Sequence, residues 1–182
     1  MKATGIVRRI DDLGRIVVPK EIRRTLRVRE GDPMEIYTNS EGEIILKKYS
    51  PIGEIDSFAK QYAESLAQVS GYMIIISDRD QVIAVAGGAP KSLIGKRLST
   101  QMEELLRDRS KFTTSDGVKK SIPVISEEEA PNTGQVIYPI ICEGDIIGSV
   151  VILGKEENTN VSITEEKLAL VAASFLGKQM EN

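Results

Sequence analysis

The sequence of 182 residues predicts two folded parts: an all-β-rich barrel closed jointly by two exchanged copies, with one short helix per chain, then an α+β domain with an antiparallel sheet. Three features predict it. Short β-branched runs alternate with turn residues over the first fifty positions. Pro51 and Gly53 then punctuate the chain in Tyr49-Ser50-Pro51-Ile52-Gly53. Beyond that point helical and strand-like patterns interleave as in antiparallel α+β domains. The expected organisation is residues 1–50 as one domain, 51–70 as a linker helix and 71–182 as a second domain.

Gly5–Ile10 and Arg15–Val18 are β-branched and flank Asp11-Asp12-Leu13-Gly14, so they read as a hairpin. A loop there brings Arg8 nearly across from Arg15. Pro19 suits the first helical position and Glu21 the first turn, with the helix stopping before Glu30-Gly31-Asp32-Pro33. Met34–Thr38 and Glu43–Lys48 form a second hairpin around Asn39-Ser40-Glu41-Gly42. So small a unit, with no disulfide or metal, buries too little apolar surface by itself. Two copies exchanging hairpins would bury Ile6, Ile16, Val18, Ile36, Ile44 and Leu46 and remove open strand edges.

In the second part, Ile55–Val69 carries apolar residues at helical spacing. Tyr72–Ser77 and Val82–Ala86 form a strand pair, Thr100–Arg107 a helix, and Gln135–Cys142 with Ile146–Leu153 a hairpin around Glu143-Gly144-Asp145. A terminal helix from about Thr164 to Met180 opens on a capping-box pattern, Ser162-Ile163-Thr164-Glu165. No element is legible between Lys111 and Thr133.

Composition excludes several chemistries. Without histidine, and with Cys142 as the single cysteine, the chain holds no internal disulfide, no Cys/His zinc site and no imidazole-dependent hydrolase. Cys142 lies in an apolar run beside Glu143 and Asp145, a setting that disfavours a thiolate. The acids Asp78, Asp80, Glu103, Glu104 and Glu127 to Glu129 match no EF-hand spacing, and Gly87-Gly88 is a turn with no phosphate-loop lysine after it. No metal, cofactor or enzymatic activity is therefore expected. No apolar run approaches the roughly 18 residues of a membrane span, no secretory pattern opens the sequence, and a cytoplasmic location is expected.

Charge is distributed unevenly. The net charge is −3, yet residues 1–29 hold nine Lys or Arg against three Asp or Glu. On a helix, Lys20, Arg23, Arg24 and Arg27 share one side while Ile22 and Leu26 turn away. Surface charge is ordinary. Here, however, acids are scarce, the cations come from two elements, and a dimer would repeat them about a two-fold axis, which suits duplex DNA. The absence of Trp, and of any Phe before Phe58, disfavours stacking on single-stranded bases.

The run TGIVRRIDDLGRIVVPKEIRRTL, continued by GDPMEIY and EIILKKY, closely resembles the amino-terminal domain of AbrB-type transition-state regulators, a swapped-hairpin DNA-binding fold. SGYMIIISDRDQVIAVAG and GDIIGSVVILG resemble a GAF domain. The combination is similar to regulators of gene expression in the spores of endospore-forming bacteria. The resemblance implies a regulator that activates and represses. It implies double-stranded DNA contacts from Arg8, Arg15, Arg23 and Arg24, with Arg9 and Lys20 as neighbours. It also implies a homodimer through the first domain, a homotetramer through further contacts, and a GAF-like domain serving oligomerisation or the sensing of an unknown small molecule. GAF-type methionine sulfoxide reductases use several cysteines, which this chain lacks. The competing expectation is an antitoxin-like or scaffolding module that binds another protein. The folded second part weighs against it, because antitoxins usually carry a disordered acidic tail.

Overall fold

The computed structural model describes residues 4–49, 56–115 and 120–181. They fall into two compact units, 1–49 and 50–182. The expected domain boundary at Pro51–Gly53 lies outside the described residues.

In the first unit, α1 (Lys20–Leu26) precedes the antiparallel pair β1 (Met34–Thr38) and β2 (Ile44–Lys48), which runs in register from Met34 opposite Lys48 to Thr38 opposite Ile44. Asn39 shapes their turn: its Oδ1 accepts from the Glu41 and Glu43 amides at 3.1 and 2.9 Å. The segments on either side of Asp11–Gly14 meet at the turn, yet no strand ladder extends from it within one chain. A lone hairpin is marginal in water, and nothing in the unit covers Val7 (85% exposed) or Val17 (72%). None of residues 4–49 is buried.

The second unit has the opposite character. In order it contains α2 (Asp56–Ser70), β3 (Met73–Ser77), β4 (Val82–Ala86), a 3-10 turn at Lys91–Leu93, α3 (Thr100–Arg107), β5 (Phe112–Thr113), β6 (Gln135–Cys142), β7 (Asp145–Leu153) and α4 (Ile163–Gln179). Its sheet runs β4-β3-β7-β6-β5 with every pair antiparallel. Alternate side chains enter two cores. Ile74, Ile76, Val150 and Ile152 pack with Ala59, Ala63, Ala169 and Leu176 of α2 and α4. Ile75 and Val151 pack with Leu98, Met102 and Val124 on the other face. Both faces being covered explains why β3 and β7 read as continuous aliphatic runs. The helix assigned from sequence to a linker is thus part of this core, with Ala59 and Ala63 wholly buried.

Close approach rather than turn geometry demands glycine at Gly148 and Gly177. A Cβ on Gly148 would fall on the Ser77 carbonyl oxygen, and one on Gly177 on that of Ile141, so β7 and α4 lie tight against their neighbours. The stretch that was illegible in sequence contributes β5 and an isolated bridge from Leu98 to Ile125. It is held by Gln135, fully buried, whose side chain accepts from the Ile122 amide at 2.8 Å and donates to the Ile122 carbonyl at 3.0 Å.

Candidate nucleic-acid interface

The first turn is organised by one carboxylate. Asp11 Oδ1 accepts from the amides of Leu13 (3.0 Å) and Arg15 (2.8 Å), while Oδ2 accepts from Arg15 Nε at 2.8 Å. Backbone bonds from the Asp11 amide to the Arg15 carbonyl and from the Gly14 amide to the Asp11 carbonyl close the loop. The Arg15 amide, followed by the Arg15 guanidinium, holds the Asp11 carboxyl below its usual range. This corrects the expected facing of Arg8 and Arg15. Asp11 stands opposite Arg15, because an aspartate that caps its own turn also brings the residue four places on within ion-pair reach. Arg8 and Arg9 remain exposed on the incoming segment.

Helix α1 begins after Pro19, which is extended at φ −59° and ψ 150°, and carries Glu21 in its first turn. It ends where Arg27 turns left-handed at φ 53° and the Val28 amide reaches the Arg23 carbonyl at 2.8 Å. Lys48 of β2 ties this end down: its Nζ donates to the Arg27 carbonyl at 3.2 Å and lies 3.2 Å from Asp32 Oδ2. Asp32, its side chain 1% exposed, also accepts from the Arg29 amide at 2.8 Å. The second hairpin thereby fixes the helix that presents Lys20, Arg23 and Arg24. Lys20 and Arg24 are exposed, while Arg23 is half-buried with its Nε shielded and without a hydrogen-bond partner among the described residues.

The six predicted cations are thus placed on the turn, the segment before it and α1. Sequence reading missed the residues that orient them. An Asp four positions before an Arg, across a turn ending in Gly, was the available signal for Asp11. Asp32 and Lys48 left none, being sixteen positions apart and joined only by the fold.

In the second unit the polar groups serve packing. Ser77 and Ser149 share a buried hydroxyl–hydroxyl bond at 2.6 Å between β3 and β7. Ser115 donates to Glu166 Oε1 at 2.6 Å, and Lys111 stands 3.7 Å from Oε2. Half-buried Cys142 has its thiol pushed up, first by burial and then by the charge of Glu143. Among the described residues no three His, Cys, Asp or Glu groups converge as metal ligands, and no helix is long and apolar enough to cross a membrane.

A family model described as stage V sporulation protein T C-terminal, transcription factor, matches residues 54–181. A second, described as antidote-toxin recognition MazE, bacterial antitoxin, matches residues 7–54. Stage V sporulation protein T of Bacillus subtilis (strain 168) is 48% identical over 181 residues, covering 100% of this chain and 99% of the relative. Transition state regulatory protein AbrB of the same organism is 61% identical over 51 residues, covering 28% of this chain and 52% of the relative. Among solved structures, the GAF domain of an Acinetobacter phosphoenolpyruvate-protein phosphotransferase is 13% identical, covers 71% of this chain and 90% of its own, and superposes with a TM-score of 0.51, a likeness of fold.

Proposed function

The chain belongs to the stage V sporulation protein T family of transcription factors, and from that premise we propose that it activates and represses sporulation-stage genes by gripping duplex DNA through arginines of a dimeric first unit. Arg8, Arg15, Arg23 and Arg24 carry the contacts, Arg9 and Lys20 flank them, and the reaction class is binding, not catalysis. The observation carrying this reading is Arg23: a half-buried guanidinium with an unpartnered Nε, beside exposed Arg24 and Lys20, is a donor set held ready for an anion from outside. The cell interior, where chromosomal DNA lies, is the corresponding location.

What supports pairing of first units is that none of residues 4–49 is buried, with Ile6, Ile16, Ile36, Ile44 and Leu46 40–67% exposed within one chain. The second unit supports tetramer formation by an apolar strip on α4, where Ile163 and Val171 are 61% exposed and Leu170 49%. Phe58, Tyr62 and Phe175 stack beside it at centroid distances of 5.3–6.3 Å. Sensing of a small molecule in the GAF-like unit rests on the fold alone.

Salt dependence tests the reading. Footprinting on genomic DNA supplies a bound duplex, which is then titrated at several salt concentrations with the wild type, Arg23→Ala and Arg24→Ala. Each lost phosphate contact lowers the slope of log affinity against log salt by about one; unchanged affinity and slope in both variants would overturn it. The match of residues 7–54 to an antitoxin model favours a second reading, a protein-binding module. Failure to bind any duplex, together with a stoichiometric small toxin co-purifying from cells, would select it.

A further inference from the structure

We propose that Asp11 is a positioning residue for sequence recognition, holding Arg15 so that the two terminal guanidinium nitrogens read a guanine edge. The inference rests on the DNA-binding reading above and adds to it a specificity role for an acid. A carboxylate on a DNA-facing surface ordinarily weakens binding, because it repels the phosphates. Asp11 is not a free charge, however. Its Oδ1 is fixed by the amides of Leu13 and Arg15, so the plane of the carboxylate is set by the backbone of its own turn. The remaining oxygen takes Arg15 Nε at 2.8 Å.

One edge of the guanidinium is thereby committed, while the side chain stays 68% exposed. The terminal nitrogens form the pair of donors that matches guanine O6 and N7. An unrestrained arginine would follow any phosphate within reach. An arginine held by a carboxylate is pre-organised for one direction of approach and exchanges non-specific attraction for discrimination. Asp11 therefore acts with opposite sign on the two kinds of binding. It reduces affinity for any duplex through its charge and raises the preference for the cognate one through geometry.

The test uses the full-length chain, a duplex enriched from a random pool by the wild type, and a scrambled duplex of the same composition. Asp11→Asn keeps a side-chain oxygen for the turn amides and removes the charge that holds Arg15. The variant is expected to bind the scrambled duplex at least as tightly as the wild type, and its preference for the enriched duplex to fall about tenfold. In an Arg15→Ala background the same substitution should leave the preference unchanged. Far-UV circular dichroism and a thermal melt establish that the variant is folded; if it is not, Asp11→Ser, which also offers an oxygen to the turn, is measured in its place. A preference that survives the loss of the carboxylate, or falls equally without Arg15, would overturn the inference and leave DNA binding standing. A wild type that enriches no duplex at all would overturn both.

Discussion

Arg23 and Glu166 show two fates of a charged group that is partly removed from water. Arg23 Nε is shielded without a hydrogen-bond partner among the described residues, which costs free energy in the unbound chain. Glu166 is already satisfied. The Ser115 hydroxyl is the main cause holding its carboxyl below the usual range, helped by Thr113 and Lys111 and opposed by burial. A carboxyl with a depressed folded pKa adds stability that is fully present above its ordinary value of 4.5 and disappears as pH falls through the folded value. Ser115→Ala should therefore destabilise the protein by about 1 kcal/mol near neutral pH. That deficit should shrink in urea or thermal denaturation carried out on the acid side of 4.5; a deficit independent of pH would count against the assignment.

Elements are governed by what they touch more than by their intrinsic preferences. In an exposed helix Gly→Ala is stabilising by roughly 1 kcal/mol. At Gly177 of α4 the sign should reverse, because the added Cβ meets the Ile141 carbonyl oxygen of β6 and must lift the helix from the sheet. Gly177→Ala is expected to cost about 1–3 kcal/mol, read as a fall in the second unit's melting temperature; an unchanged or higher temperature would refute the close-packing account. The beginning of the same helix was legible, since a capping box is a local pattern. The Ser162 amide donates to Glu165 Oε2 at 2.7 Å as that spacing implies. The first hairpin was legible only in part. Its turn closes as Asp11 and Gly14 require, but no strand ladder extends from it among the described residues of one chain.

At the scale of the molecule, the two units differ in how they meet the cost of ordering the backbone. The second buries aliphatic side chains on both faces of five strands. The first buries none completely among residues 4–49. Residues 1–53 expressed alone should therefore sediment as a dimer at micromolar concentration, with dissociation and unfolding occurring together on dilution; a folded monomer would refute this. The sequence by itself determined the positions of α1 to α4 and of every strand but β5, the asymmetry of charge and the family, because periodicity, caps and turn residues act over a few neighbouring positions; it also called for strands flanking Asp11–Gly14 that form no ladder within one chain. Only the tertiary structure decided that Asp11 rather than Arg8 faces Arg15, that Lys48 and Asp32 anchor α1, that α2 belongs to a core, and that Gln135 and Ser115 hold distant backbone and carboxyl groups. Those contacts depend on loop closure and on register across the sheet, which no short stretch of residues specifies.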